Sequence, residues 1–189
     1  RLSCTNDLGD LALIAIDGGD YARAWEHARA GLALARELDS AIYVAYHLCI
    51  LGHVASARGE FATGRRYLAE ALRTTWQARL WPQLAFALYH TAVLLAREAA
   101  AAGVDHPARA PQIARALELL AAIEAHPATW HVYRARTGYL IDALRPALPP
   151  AAGAAALAQG RRLDWQAGVD ALLAELAHPQ PWVEHRAVA

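Results

Sequence analysis

A single pattern of small and bulky apolar residues occurs twice in this chain, over residues 8–32 and again over residues 48–72. A repeat at a fixed spacing of 40 residues predicts stacked helical hairpins, because one hairpin cannot bury its apolar face alone. The sequence therefore predicts an all-α fold. The positions that correspond are Leu8 and Leu48, Leu11 and Leu51, Ala12 and Gly52, Gly19 and Gly59, Tyr21 and Phe61, and Ala24 and Gly64.

The smallest residues of the pattern indicate where two helices cross. Gly52 lies midway along the predicted first helix of its pair, and Gly64 lies on the facing part of the second helix. Only Gly or Ala lets two helix backbones approach closely, and the larger residues three or four positions away fill the grooves. Gly19 and Gly59 fall between the helices, where a residue that tolerates positive φ is favoured.

Three helix pairs are predicted over residues 1–126, followed by capping helices over 127–177 and an irregular tail over 178–189. Asp20 and Asp164 are suited to cap helices, since a carboxylate there accepts bonds from free amides of the first turn. The capping segment is expected to cover the apolar face that the last pair would otherwise expose. The predicted helices are 3–17, 20–38, 41–58, 60–77, 82–101, 111–125, 130–145, 151–159 and 165–176.

Charge and composition exclude several classes of protein. Eighteen basic residues, all Arg, balance 18 acidic ones, and this zero net charge argues against a nucleic-acid-binding domain, which presents a basic surface to phosphates. The sequence shows no apolar run long enough for a bilayer and no secretory signal, so a cytoplasmic location without membrane contact is expected. Because the chain begins without Met and contains none, we expect it to be part of a longer polypeptide.

The two repeats resemble tetratricopeptide repeats (TPR), although Leu8 and Leu48 replace the aromatic residue that usually leads the pattern. The segments 114–125 (ARALELLAAIEA) and 159–167 (QGRRLDWQA) are similar to the C-terminal end of bacterial STAND signalling ATPases, including LuxR- and MalT-type transcription regulators. This resemblance implies a right-handed superhelical solenoid of antiparallel helix pairs. It also implies a sensor arm that binds an inducer or partner, preceded by an NTPase and an effector domain. The chain has no Lys and hence no phosphate-binding P-loop, so no cofactor is expected in it.

In such a solenoid the first helices of the pairs line the concave face. Their positions that face the groove are candidates for binding a ligand or partner. Aromatic rings beside His and Arg suit recognition of a ligand or peptide. The alternative is that these rings only pack between neighbouring repeats. The candidates are Tyr46, Cys49, His53, Phe86, Tyr89 and Arg97.

The sequence contains no arrangement of residues typical of a nucleophile, an acid–base pair or a metal site, so a non-catalytic binding domain is expected. Cys4 and Cys49 form no disulfide framework, and Cys49 is expected to be a buried thiol. A scaffold or oligomerisation module without its own small ligand is the alternative. In that case Leu8, Leu11 and Ile14, on the first helix, would form an apolar edge for a homodimer.

Overall fold

The computed structural model describes residues 2–127, 129 and 131–178, and for His131 and Val132 it describes the backbone only. Within these ranges the chain forms nine α-helices, one short 3₁₀ turn at Arg145–Ala147, and no strand. The predicted irregular tail lies outside the described residues except for His178. The helices are α1 (Leu2–Asp17), α2 (Tyr21–Glu37), α3 (Ala41–Ala57), α4 (Phe61–Gln77), α5 (Trp81–Ala102), α6 (Arg109–Ala125), α7 (His131–Leu144), α8 (Pro150–Gly160) and α9 (Trp165–Ala177).

The helices pack in chain order. Each helix from α1 to α6 packs against the next one, which confirms the expected sequence of neighbouring helices. In addition, α1 contacts α3, α3 contacts α5, and α5 contacts α7. The odd-numbered helices therefore touch in series and share one side of the molecule, and this series positions the candidate site.

Four connections between helices have the same geometry at intervals of 20 residues. The backbone is left-handed at Gly19, Asp39, Gly59 and Arg79, with φ of 75°, 48°, 76° and 53°. The amide of each following residue donates to the carbonyl five residues earlier at 2.8–3.0 Å, which is the main hydrogen bond of a Schellman motif. The prediction of positive φ at Gly19 and Gly59 is confirmed, and the same turn occurs with Asp and Arg at the other two positions.

The crossing of α3 and α4 is as close as the small residues predict. A Cβ atom added to Gly52 would lie 2.6 Å from Cγ of Leu68, and one added to Gly64 would lie 3.2 Å from the carbonyl oxygen of Gly52. Both distances are shorter than an ordinary carbon contact. Leu68 is fully buried and fills the space that the missing side chain at Gly52 leaves.

The C-terminal helices pack on the second helices of two pairs. α8 packs against α6, and α9 reaches back to α4. Arg65 on α4 donates from Nη1 to the carbonyl oxygen of Glu175 on α9 at 3.0 Å. The two predicted N-caps are present: Asp20 accepts from the amide of Arg23 at 3.0 Å, and Asp164 from that of Ala167 at 2.9 Å.

One helix corrects the expectation about membrane segments. By length and composition alone, α5 is apolar enough to cross a bilayer, which the sequence pattern had not indicated. However, 67% of its most apolar window is buried inside the protein, as is usual for the central helix of a helical core.

Candidate functional site

Rings from α3, α5 and α7 form a continuous aromatic cluster on the side of the odd-numbered helices. The Tyr46 ring centroid lies 5.5 Å from that of Phe86, and Phe86 lies 5.2 Å from Tyr133. Tyr89 lies 6.4 Å from Tyr133. Since Phe86 and Tyr89 are three residues apart on α5, both rings reach the same face of that helix. Tyr133 on α7 therefore joins rings that the sequence had assigned to a groove between α3 and α5 alone.

A first cavity, here called the amide cavity, opens between α1, α3, α5 and α7 and has a volume of about 280 Å³. Its walls combine aromatic faces with two side-chain amides and contain no charged group. Amides both donate and accept hydrogen bonds, and rings supply apolar area, so such a cavity binds a flat molecule of modest polarity. The lining residues are Asn6, Ile42, Tyr43, Tyr46, Gln83, Phe86 and Tyr133.

A carboxylate outside the amide cavity is bonded to two of its lining residues. Asp10 on α1 accepts hydrogen bonds from Nδ2 of Asn6 at 2.9 Å and from the hydroxyl of Tyr46 at 3.4 Å. Burial, and secondarily the charge of Asp10, raise the pKa of Tyr46 far above its ordinary value, so its hydroxyl stays protonated. The phenol is therefore a hydrogen-bond donor at neutral pH.

A second cavity, here called the arginine cavity, has a volume of about 330 Å³ and is more open. Its wall contains one cation, Arg136, next to the ring of Tyr89 and the highly exposed ring of Tyr139. Because Tyr89 lines this cavity and also packs near Tyr133, the two cavities lie on either side of the same aromatic cluster. The lining residues are Tyr89, Arg136, Tyr139, Leu140 and Ala143.

Two histidines and one arginine form a hydrogen-bonded chain beneath these rings. Nη2 of Arg97 lies 3.1 Å from Nε2 of His53, and Nδ1 of His53 lies 3.1 Å from Nδ1 of His90. A guanidinium is only a donor, so Nε2 of His53 must be the acceptor and its proton must be on Nδ1. It follows that Nδ1 of His90 accepts and that His90 carries its proton on Nε2.

Both imidazoles in this hydrogen-bonded series are neutral. Burial, and secondarily the charges of Arg97 and Arg136, lower the pKa of His53 to about 3. Burial, His53 and the same two arginines lower the pKa of His90 well below its ordinary value. Nε2 of His90 is buried and has no hydrogen-bond partner within the described part of the chain.

The structure distributes the predicted site residues over four environments. Tyr46 and Phe86 line the amide cavity, Tyr89 lines the arginine cavity, and His53 and Arg97 belong to the hydrogen-bonded chain. Cys49 is fully buried, and burial raises the pKa of its thiol, so it is a core residue in this structure.

Sequence reasoning missed His90, Tyr133 and Arg136. His90 follows Phe86 by four residues, so helical spacing alone could have placed both on one face of α5. Tyr133 and Arg136 are on α7, which the sequence had assigned to the C-terminal cap, and nothing in its local pattern showed that it would contact α5. Among the residues that the structure describes, no group of three or more His, Cys, Asp or Glu could hold a metal ion.

Compared with known proteins, the chain matches no family model, no curated protein and no solved structure at a significant level.

Proposed function

We propose that this chain is a non-catalytic ligand- or protein-binding domain, a TPR-like solenoid that acts as the sensor arm of a cytoplasmic bacterial STAND-type regulator. Three features support the solenoid: the in-series contacts of the odd-numbered helices, the close crossing at Gly52 and Gly64, and the four matching turns. In this proposal the occupant of the aromatic groove is a small inducer or a side chain of a partner protein. Here the aromatic groove means the amide cavity, the arginine cavity and the rings between them.

The observation that carries the proposal is the composition of the amide cavity. Its walls place two amides and several phenols around apolar ring faces in a space of about 280 Å³. A cavity of this kind fixes the orientation of a ligand through a few polar groups and gains affinity from the rings. Its volume suits a molecule with one ring, or one aromatic side chain of a peptide, better than a large cofactor.

The protonation states of His53, His90 and Cys49 favour binding over catalysis. A general base needs a pKa near the working pH, whereas those of His53 and His90 are lowered far from it. A nucleophilic thiol needs a lowered pKa and access to the substrate, whereas Cys49 is fully buried and its pKa is raised.

The binding role is tested by nuclear magnetic resonance (NMR) of the ¹⁵N-labelled chain with a library of monocyclic aromatic compounds. We expect shift changes to concentrate on amides of α3, α5 and α7 around the amide cavity. Ile42→Trp places a large ring at the cavity wall and should abolish binding there, whereas Val104→Trp, on an exposed loop, is the matched control. The proposal fails if compounds bind elsewhere, or if Ile42→Trp leaves the shifts unchanged.

Membership of the regulator class is tested by the coding sequence that precedes Arg1. A nucleotide-binding module in the same reading frame supports a STAND-type regulator. If the preceding sequence encodes an unrelated domain, the class is wrong even where the groove binds ligands.

One observation favours a scaffold or oligomerisation role as a second candidate. Leu11 and Ile14 on α1 are 46% and 67% exposed, whereas their equivalents 40 residues later, Leu51 and Val54, are fully buried. Those equivalents lie on α3, which packs against α2, a second helix of the preceding pair. Light scattering up to high protein concentration tests this role: a dimer that Ile14→Gln dissociates supports it, and a monomer contradicts it.

A further inference from the structure

The arginines of this chain differ in whether a carboxylate neutralises them. Arg65 pairs with Glu98 in the core, and Arg115, which is also largely buried, pairs with Glu118 and Glu175. Arg97 is largely buried too, yet it has no ion pair with any carboxylate in residues 2–127, 129 and 131–178. Burying a cation without a counter-ion is costly, and proteins rarely leave that cost uncompensated.

The hydrogen bonds of Arg97 hold it without neutralising it. Nη1 donates to the carbonyl oxygen of His53 at 2.9 Å and to Oγ of Ser56 at 2.7 Å, and Nη2 donates to Nε2 of His53. All three acceptors are uncharged. A guanidinium has five N–H groups, so these three bonds position Arg97 firmly and leave two N–H groups for another acceptor.

A second arginine is on α7. Arg136 lines the arginine cavity with Tyr89 and has no ion pair among the described residues. Arg136 and Arg97 are both close enough to Tyr89 for their charges to lower the pKa of its phenol, against the larger raising effect of burial. The charges of Arg97 and Arg136 also lower the pKa values of His53 and His90, so both imidazoles stay neutral.

Beside the amide cavity, by contrast, the neighbouring charge is negative. Asp10 lies beside Tyr46 and is already bonded to Asn6 and to the Tyr46 hydroxyl. The charge near the groove is therefore more positive toward Tyr89, where Arg136 lines the arginine cavity and Arg97 is joined to the neighbouring His90 through His53. Guanidiniums recognise carboxylates and phosphates through charge-assisted hydrogen bonds, which are stronger than those between neutral groups.

We propose that the groove takes an anionic ligand, whose carboxylate or phosphate is bound by Arg136 beside Tyr89 while its apolar part contacts the rings of the cluster. The buried charge of Arg97, which is joined to His90 through His53, adds to the positive potential behind Tyr89. This inference rests on the proposed binding function of the same groove. It adds that the ligand is an acid, which the uncharged walls of the amide cavity alone would not indicate.

Three probes of matched size test the charge: phenylacetate, phenyl phosphate and the neutral phenylacetamide, each titrated into the ¹⁵N-labelled chain. Since such small ligands bind with Kd on the order of 1 mM, shift changes are the suitable measurement. We expect one or both anions to shift the amides of Tyr89, Arg97 and residues near Arg136, and to bind at least about fivefold more tightly than the amide. Which anion binds more tightly distinguishes a carboxylate ligand from a phosphate ligand.

Two arginine variants identify the binding groups. Arg136→Gln should reduce the preference for the anion at least about fivefold, since it removes one charge-assisted contact. Arg66→Gln on α4 is the control, because Arg66 is exposed and outside the groove, and it should change affinity less than about twofold. The anionic inference is overturned if Arg136→Gln and Arg66→Gln behave alike.

The shift changes distinguish a groove that binds without selectivity for anions from a groove that binds no ligand. If phenylacetamide shifts the groove amides as strongly as the acids, the groove binds ligands but is not selective for anions. If none of the three probes, nor any compound of the aromatic library, shifts these amides, both the anionic inference and the groove itself are overturned.

Discussion

Arg65 and Glu98 form a bidentate ion pair in the core, where α4 packs against α5. Nε of Arg65 donates to Oε1 of Glu98 at 2.6 Å and Nη2 donates to Oε2 at 2.5 Å, and the Glu98 side chain is fully buried. Gln112 on α6 donates a further hydrogen bond to Glu98 at 3.0 Å. Because Arg65 also bonds the end of α9, this one pair ties four helices together.

Replacement of Arg65 by Met should destabilise the protein strongly. It leaves Glu98 buried without its cation, and breaking such a pair from one side typically costs about 3–5 kcal/mol in the free energy of unfolding. Urea unfolding at pH 7.5 measures the loss. Arg36→Met is the matched control, because the Arg36–Glu70 pair is about half exposed on both sides and its loss should cost less than about 1 kcal/mol.

The same variant should depend on pH in a defined direction. Burial raises the pKa of Glu98, and Arg65 opposes that rise. Without Arg65 the folded pKa rises further above the unfolded one, so the folded state binds a proton more readily than the unfolded chain as pH falls. The difference in stability between Arg65→Met and the wild type should therefore shrink from pH 7.5 to pH 5, and an unchanged difference would contradict this account.

Gly52→Ala should destabilise the crossing of α3 and α4. The new Cβ would lie 2.6 Å from Cγ of Leu68, a branched atom that is fully buried and has little room to move. Overpacking of this kind costs roughly 1–3 kcal/mol. Gly18→Ala is the control, since its Cβ would meet only ordinary contacts at 3.6 Å or more, and thermal unfolding should show a neutral or slightly stabilising effect.

At the left-handed turn positions, introducing a glycine should stabilise the protein and removing one should destabilise it. Arg79 adopts φ of 53° although it carries a side chain, so Arg79→Gly should stabilise the protein by about 0.5–1 kcal/mol. Gly59 has φ of 76°, and Gly59→Ala should destabilise it by a similar amount. Urea unfolding of both variants checks the pair; two changes of the same sign would show that local turn strain does not decide stability here.

These turns also show how much of the fold could be predicted from the sequence. Gly19 and Gly59 signal a left-handed residue directly, because glycine adopts that conformation without strain. Asp39 and Arg79 give no such signal, and their conformation follows from the packing of the helices on either side. The helix pairs were predictable because small residues at crossings and the caps Asp20 and Asp164 act locally.

The candidate site was predictable only in part, because part of it depends on packing between helices that are distant in sequence. Tyr46, Phe86 and Tyr89 could be placed on one side because helical spacing fixes their faces. The position of Tyr133 beside them depends on contacts between α7 and α5, which lie far apart in the chain. Likewise, the pairing of Arg97 with His53 instead of a carboxylate depends on the stagger of α3 against α5, which no local pattern encodes.

The neutral histidines give the last prediction, which concerns stability at acidic pH. Burial and the nearby arginine charges lower the folded pKa of His53 to about 3, and burial is also the main cause that lowers those of His47 and His90, whereas an unfolded histidine has a pKa of about 6.5. Between these values the unfolded chain binds protons that the folded chain does not, so the free energy of unfolding should fall as pH drops below about 6.5. The slope is about 1.4 kcal/mol per pH unit for each such histidine, and this contribution to stability is fully present above pH 6.5.

His90→Asn isolates one of these groups, because the Asn side-chain oxygen replaces Nδ1 of His90 as an acceptor for His53 but does not titrate. Urea unfolding from pH 7.5 to pH 5 should show a shallower loss of stability for His90→Asn than for the wild type, by about 1.4 kcal/mol per unit below pH 6. If the curves of wild type and His90→Asn run parallel, His90 takes up a proton in the folded state as readily as in the unfolded one. The hydrogen-bonded chain from Arg97 through His53 to His90 would then be wrong.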